Sequence, residues 1–188
     1  MRTVLALVLV ALVMPGSVAV TAAAAATATA AVPANGEAAS LPPHIRCLSD
    51  DARGLLEVAM TRSEAVRGLV ESLERTNVVA YLSLSVESRP GWPRASLSFV
   101  SYAAGTRYVL IRIDAWRVPS QVDRIAKLGH ELWHALEVAA APEVTTEKDF
   151  RDLYRRIGHE RSGTRFETEQ ARAVERDVRT GLLFPDER

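Results

Sequence analysis

The stretch Gly129-His130-Glu131-Leu132-Trp133-His134 decides how the rest of the chain is read. Two histidines four residues apart on a helix project from one face, about one turn above each other. That spacing lets two imidazole nitrogens reach a single tetrahedral metal ion. Glu131, directly after the first histidine, reaches beside such a metal, where it can polarise a bound water as general base. Periodicity predicts the helix itself, because Ile125, Leu128, Leu132, Leu136 and Ala139 form an apolar stripe. At about 100° per residue, His130 and His134 fall roughly opposite that stripe. One face then packs on a core while the other looks into a cleft. Ser120, after Pro119, is the N-cap, and Ala139-Ala140-Ala141-Pro142 ends the helix.

Through His130-Glu131-Leu132-Trp133-His134 and its helical setting, the chain resembles the zincin metallopeptidases. The resemblance implies zinc held by His130 and His134, with Glu131 as catalytic base. It covers these five residues closely and the order of elements loosely, so it points to a superfamily. The metzincin branch continues H-E-x-x-H-x-x-G-x-x-H. Here Glu137 stands at the glycine position and Ala140 at the third-histidine position. A glutamate-type third ligand is therefore the better match.

The N-terminus is a separate matter. Met1-Arg2 followed by the aliphatic run Val4 to Met14 reads as a secretory signal over residues 1–20, with Ser17-Val18-Ala19 as a small-x-small cleavage site. No charge appears between Arg2 and Glu37, so an uncleaved anchor is the alternative. Residues 21–40 are rich in Ala and Thr and offer no large side chain, as in a disordered linker. The domain over 41–188 is long enough for a single core. Its charges balance, 23 basic against 23 acidic, with no basic block to engage nucleic acid. The single cysteine, Cys47, has no internal disulfide partner.

Along the domain, Ser49-Asp50-Asp51 caps an N-terminal helix reaching about Arg75, its apolar side carried by Leu55, Leu56, Ala59, Val66, Leu69, Val70 and Leu73. The period then changes to two. Strands are predicted over Val79–Val86, Ala95–Tyr102 and Arg107–Asp114, with Ala103–Thr106 as a hairpin connection. Short connections favour antiparallel pairing, so a small meander is expected just before the metal helix. Trp92 sits in the first connection, where it either covers the sheet or lines a cleft. Thr146 caps a short helix ending at Ile157, and His159–Thr164 reads as a polar loop. A last helix follows over Arg165–Gly181.

A catalytic zinc has three protein ligands and an open position. In glutamate-type zincins the third comes from a helix downstream, where this chain offers Glu160, Glu167, Glu169 and Glu175, with His159 as a further candidate. Ala171, Val174 and Val178 mark the inward side of the last helix, and Glu167 projects within about 40° of them, whereas Glu169 points away and Glu175 lies on a flank. Glu167 is thus the preferred ligand and His159 the alternative. Glu137 lies about 4.5 Å further along the axis than His134, which favours a supporting or solvent-facing position over ligation. The supporting acid that zincins often carry one turn after the third ligand is replaced here by Ala171.

The expectation is an α+β fold with an N-terminal helix, a small mostly antiparallel sheet, the His-Glu-x-x-His helix and two C-terminal helices. The function it implies is an exported, Zn²⁺-dependent metallopeptidase acting on a peptide or protein substrate, in the periplasm or secreted, with no membrane span once the signal is removed. Glu131 is the general base; His130, His134 and Glu167 are the metal ligands. Tyr154 and His159 are candidate transition-state stabilisers by chain position. The competing class is a non-catalytic zinc-binding or cell-envelope binding module on the same scaffold.

Overall fold

A computed structural model of the protein describes residues 42–87, 91–162 and 165–185. The expected signal (1–20) and linker (21–40) lie outside these residues. The fold is α+β. In chain order the elements are β1 (Ile45–Cys47), α1 (Asp50–Arg62), α2 (Glu64–Leu73), β2 (Val78–Ser85), β3 (Ala95–Ala103), β4 (Thr106–Asp114), α3 (Gln121–Ala139), α4 (Glu147–Ile157), β5 (His159–Ser162), β6 (Arg165–Glu167) and α5 (Glu169–Leu183).

The expected single N-terminal helix is two helices. Ser63 breaks the run in an extended conformation (φ −129°, ψ 110°), and its side chain accepts from the backbone N–H of Val66. A serine hydroxyl that satisfies an orphan N–H restarts a helix at low cost, so one apolar stripe carries two axes.

The main sheet has the order β1-β2-β4-β3. β1 and β2 are parallel, β2 and β4 are parallel, and β3 pairs antiparallel with β4. The sheet is therefore mixed, which corrects the mostly antiparallel expectation. The β3–β4 hairpin is tight because Ala104 (φ 48°) and Gly105 (φ 80°) both take the left-handed conformation that matches strand twist. The longer connection from Ser85 to Ala95 carries the chain past one strand position, so β4 slots between β2 and β3. That leaves β3 at an edge of the sheet.

Val109, Ile111 and Ile113 of β4 turn to the helical face, where they meet Leu82, Ile125, Leu128 and Leu132 in the core. Helix α3 is the centre of the molecule, packing on β2, β3 and β4 and on α1, α2 and α5. Its C-terminal carbonyls are capped from the sheet: buried Arg107 donates to the carbonyls of Val138 (2.8 Å) and Ala141 (2.6 Å) and to the Asn77 side chain. A cation at a helix C-terminus also complements the helix dipole.

The C-terminal part departs from expectation in two places. The predicted polar loop contains β5, which pairs with β6 as an antiparallel hairpin with His159 opposite Glu167. The last helix begins at Glu169, because the Thr168 side chain accepts from Ala171 N–H and sets the N-cap there. Glu167 therefore reaches the site from the end of a strand. Among the described residues, no helix is long and apolar enough to cross a membrane.

Candidate metal centre

His130, Glu131 and His134 turn from α3 into one cleft, yet they are only 4%, 3% and 6% exposed. That side of α3 is closed by α5 and by the end of β6. The approach of α5 depends on Gly129: a Cβ there would lie 3.0 Å from a Val178 methyl and 3.6 Å from Val174. A glycine inside a helix loses stability against alanine, and here the missing side chain is what lets the two helices close.

The two histidine rings stand edge to face, 4.8 Å between centroids. Both Nε2 atoms turn toward one oxygen, Glu167 Oε1, at 2.9 Å from His130 and 3.7 Å from His134. One ligand atom from each of the three residues falls within 4.8 Å of the others, so the group could hold a metal ion.

Behind each ring stands another carboxylate. His134 Nδ1 lies 2.6 Å from Glu137 Oε2. Glu137 in turn accepts from Trp133 Nε1 (3.0 Å) and from the Thr168 hydroxyl (2.7 Å). His130 Nδ1 lies 3.0 Å from Glu175 Oε2, turned off the line of a full hydrogen bond. Glu175 is fixed by Lys127 Nζ (2.8 Å) and Arg179 Nη2 (2.9 Å), and Arg179 Nε reaches Asp123 (2.8 Å). A proton on Nδ1 facing a carboxylate leaves the Nε2 lone pair for a metal.

The electrostatics agree with a cation site. Burial works against charge on His134, but Glu137, Glu167 and Glu131 outweigh it and push its pKa up to about 9. His130 is raised in the same way, with Glu167 and Glu175 overcoming burial. Burial would raise Glu167, yet the two histidines hold it well below the usual carboxylate range; His130, Lys127 and Arg179 do the same for Glu175. Burial pushes the Glu131 carboxyl up, opposed by His134, His130 and Lys127. Four carboxylates surround two imidazoles here, and Lys127 and Arg179 offset Glu175 directly. Two imidazoles and a carboxylate suit a borderline divalent ion such as zinc, so the residues present fit that group.

His130, Glu131, His134 and Glu167 line a cleft of about 870 Å³, bounded by α3, the first half of β3, α4 and the Trp92–Arg94 segment. Trp92 lines it, with the Arg112 guanidinium 4.7 Å from the ring centroid. Tyr154 also lines it, edge-on to His134 at 5.2 Å. Its hydroxyl, however, donates to the His134 backbone carbonyl (3.0 Å), so the structure uses it to hold the histidine. His159 is exposed and is not among the residues lining the cleft.

The sequence reading did not assign Glu175 to His130. Its register, two turns after Glu167, gives no signal until the Glu167 backbone is known to be extended. The cleft-lining Arg94 and Arg117 carried no signal at all. Comparison with protein-family models, with curated proteins and with solved structures finds no match.

Proposed function

We propose that the chain is a zinc-dependent metallopeptidase, exported from the cell by its N-terminal segment. The observation that carries this reading is the convergence of both Nε2 atoms on Glu167, each imidazole backed by a carboxylate, with Glu131 lining the same cleft. His130, His134 and Glu167 would hold the ion. Bound there, zinc supplies Lewis acidity toward a carbonyl and makes a coordinated water acidic near neutral pH. Glu131 accepts the proton of the attacking water and returns it to the leaving amine.

The free edge of β3 supports a peptide as the substrate. Ala95–Ser98 line the cleft, and β3 pairs with β4 alone among the described strands. An extended peptide can add to such an edge through its backbone, which orders it across the metal ligands. A purely structural metal site has no use for a buried carboxylate at position 131, and this favours an enzyme over a binding module.

The test is zinc content and peptide hydrolysis measured on the same preparations. Wild type should carry about one zinc per chain. Glu131→Gln should keep the metal while hydrolysis falls by about 10² to 10⁴. Glu167→Ala should lose both, whereas Glu169→Ala, exposed and paired with Arg176, should change neither. An active wild type indifferent to Glu131→Gln would remove the mechanism; a zinc-replete wild type with no hydrolysis would leave the binding module.

A further inference from the structure

The two ends of the cleft differ in charge. At one end Phe150 and Tyr154 of α4 present aromatic rings, and Arg151 lies near Glu147 (3.9 Å). At the other end stand Arg94 and Arg117, both exposed and both lining the cleft. Arg94 has no ion-pair partner among the described residues. Among the described residues Arg117 meets no carboxylate through its guanidinium; Nη1 donates to the Trp92 carbonyl, and its backbone N–H reaches Asp114 (3.0 Å). Arg112 adds a third cation against the Trp92 ring. Lys127, by contrast, is already held by Glu175.

β3 gives this end a direction. The strand runs from Ala95, beside Arg94, toward Ala103. Antiparallel pairing is the more stable per residue, so a peptide on its free edge runs the opposite way. Its C-terminal part then arrives at Arg94 and Arg117. Guanidinium groups pair with carboxylates through two parallel N–H donors, a geometry that neutral side chains cannot use.

We propose that Arg94 and Arg117 form a carboxylate subsite that takes the substrate on the C-terminal side of the bond that is cut. This deepens the peptidase reading and rests on it for the placement of that bond. The carboxylate comes either from an Asp or Glu side chain or from the peptide's own C-terminus.

The experiment uses the zinc-loaded Glu131→Gln protein, so that peptides bind without being consumed. Binding is followed by fluorescence anisotropy for three kinds of labelled peptide: neutral with a free C-terminus, the same amidated, and amidated with Glu or Lys near the C-terminal end. Carboxylate-bearing peptides should bind about tenfold tighter than the neutral amide, as charged hydrogen bonds allow, and added salt should narrow the gap. A preference for the free acid alone identifies the chain terminus; a preference for amidated Glu identifies the side chain. Arg94→Ala with Arg117→Ala should erase the difference. Arg94→Glu with Arg117→Glu should turn the preference toward the Lys peptide, a gain that a misfolded protein cannot produce. Equal binding of all peptides, or a preference that survives both pairs of substitutions, overturns the subsite. Wild-type hydrolysis of the same peptides separates this from the peptidase reading. Charge preference without cleavage sinks the enzyme and leaves the carboxylate contact; cleavage without charge preference does the reverse.

Discussion

Each imidazole presents Nε2 inward because a carboxylate stands behind Nδ1, Glu137 for His134 and Glu175 for His130. Such partners fix ring orientation and tautomer and make the ligand nitrogen more basic. Glu175 is the more informative of the two, since it also gathers Lys127 and Arg179. Glu175→Gln keeps the shape but removes the charge, and should weaken zinc affinity by about 10- to 100-fold. Competition against a chromogenic chelator measures it, and an unchanged affinity would show that Glu175 serves only its two cations. His130, Glu131 and His134 were legible as one group because helical spacing depends on neighbours alone. Glu167 was singled out by its facing on a helix, yet that helix starts two residues later. It still meets the histidines, from the end of β6. The backing of His130 by Glu175 was not legible, because it depends on how closely two helices pack.

That packing belongs to the element scale and turns on Gly129. Val178 is fully buried and touches the space a Cβ would need, so it has little room to retreat. Gly129→Val should force α3 and α5 apart, costing about 1–3 kcal/mol as overpacking does. The same displacement should draw Glu175 and Glu167 away from the histidines, so zinc affinity and melting temperature should fall together. A variant that melts earlier with affinity intact would separate the helix seam from the site. The elements themselves were largely readable, since α3 and α4, with their caps Ser120 and Thr146, follow from local pattern and side-chain chemistry. Strand order was not. The run Val78-Val79-Ala80 at the start of β2 is buried almost without alternation, as befits a strand flanked by parallel neighbours. That continuity was the available signal against a simple meander. The Ser63 break was hidden for a different reason: a serine inside an amphipathic stripe fits a continuous helix and a restarted one equally well.

For the whole molecule, two readings can be tested without an activity assay. Export predicts that protein recovered outside the cytoplasm begins between about Val20 and Pro33, after a small-residue cleavage site. N-terminal sequencing decides it, and a cytoplasmic chain starting at Met1 would remove both export and cleavage. The other reading concerns what the metal does for the fold. His130 and His134 belong to α3, whereas Glu167 ends β6 immediately before α5, so a shared ion joins the central helix to the C-terminal segment. An ion that binds the folded chain and not the unfolded one stabilises it by mass action, about 4 kcal/mol at a thousandfold excess over Kd. For a domain of this size that is a melting shift on the order of 10 °C. Stripping zinc with a chelator should lower the melting temperature by about that much, and restoring zinc should return it. Glu167→Ala should show a much smaller zinc-dependent shift, because the bond across the seam is gone, while Glu169→Ala should respond like wild type. If wild type melts at the same temperature with and without zinc, the ion does not tie these segments together. A full shift in Glu167→Ala would mean that the ion is held by α3 without help from β6.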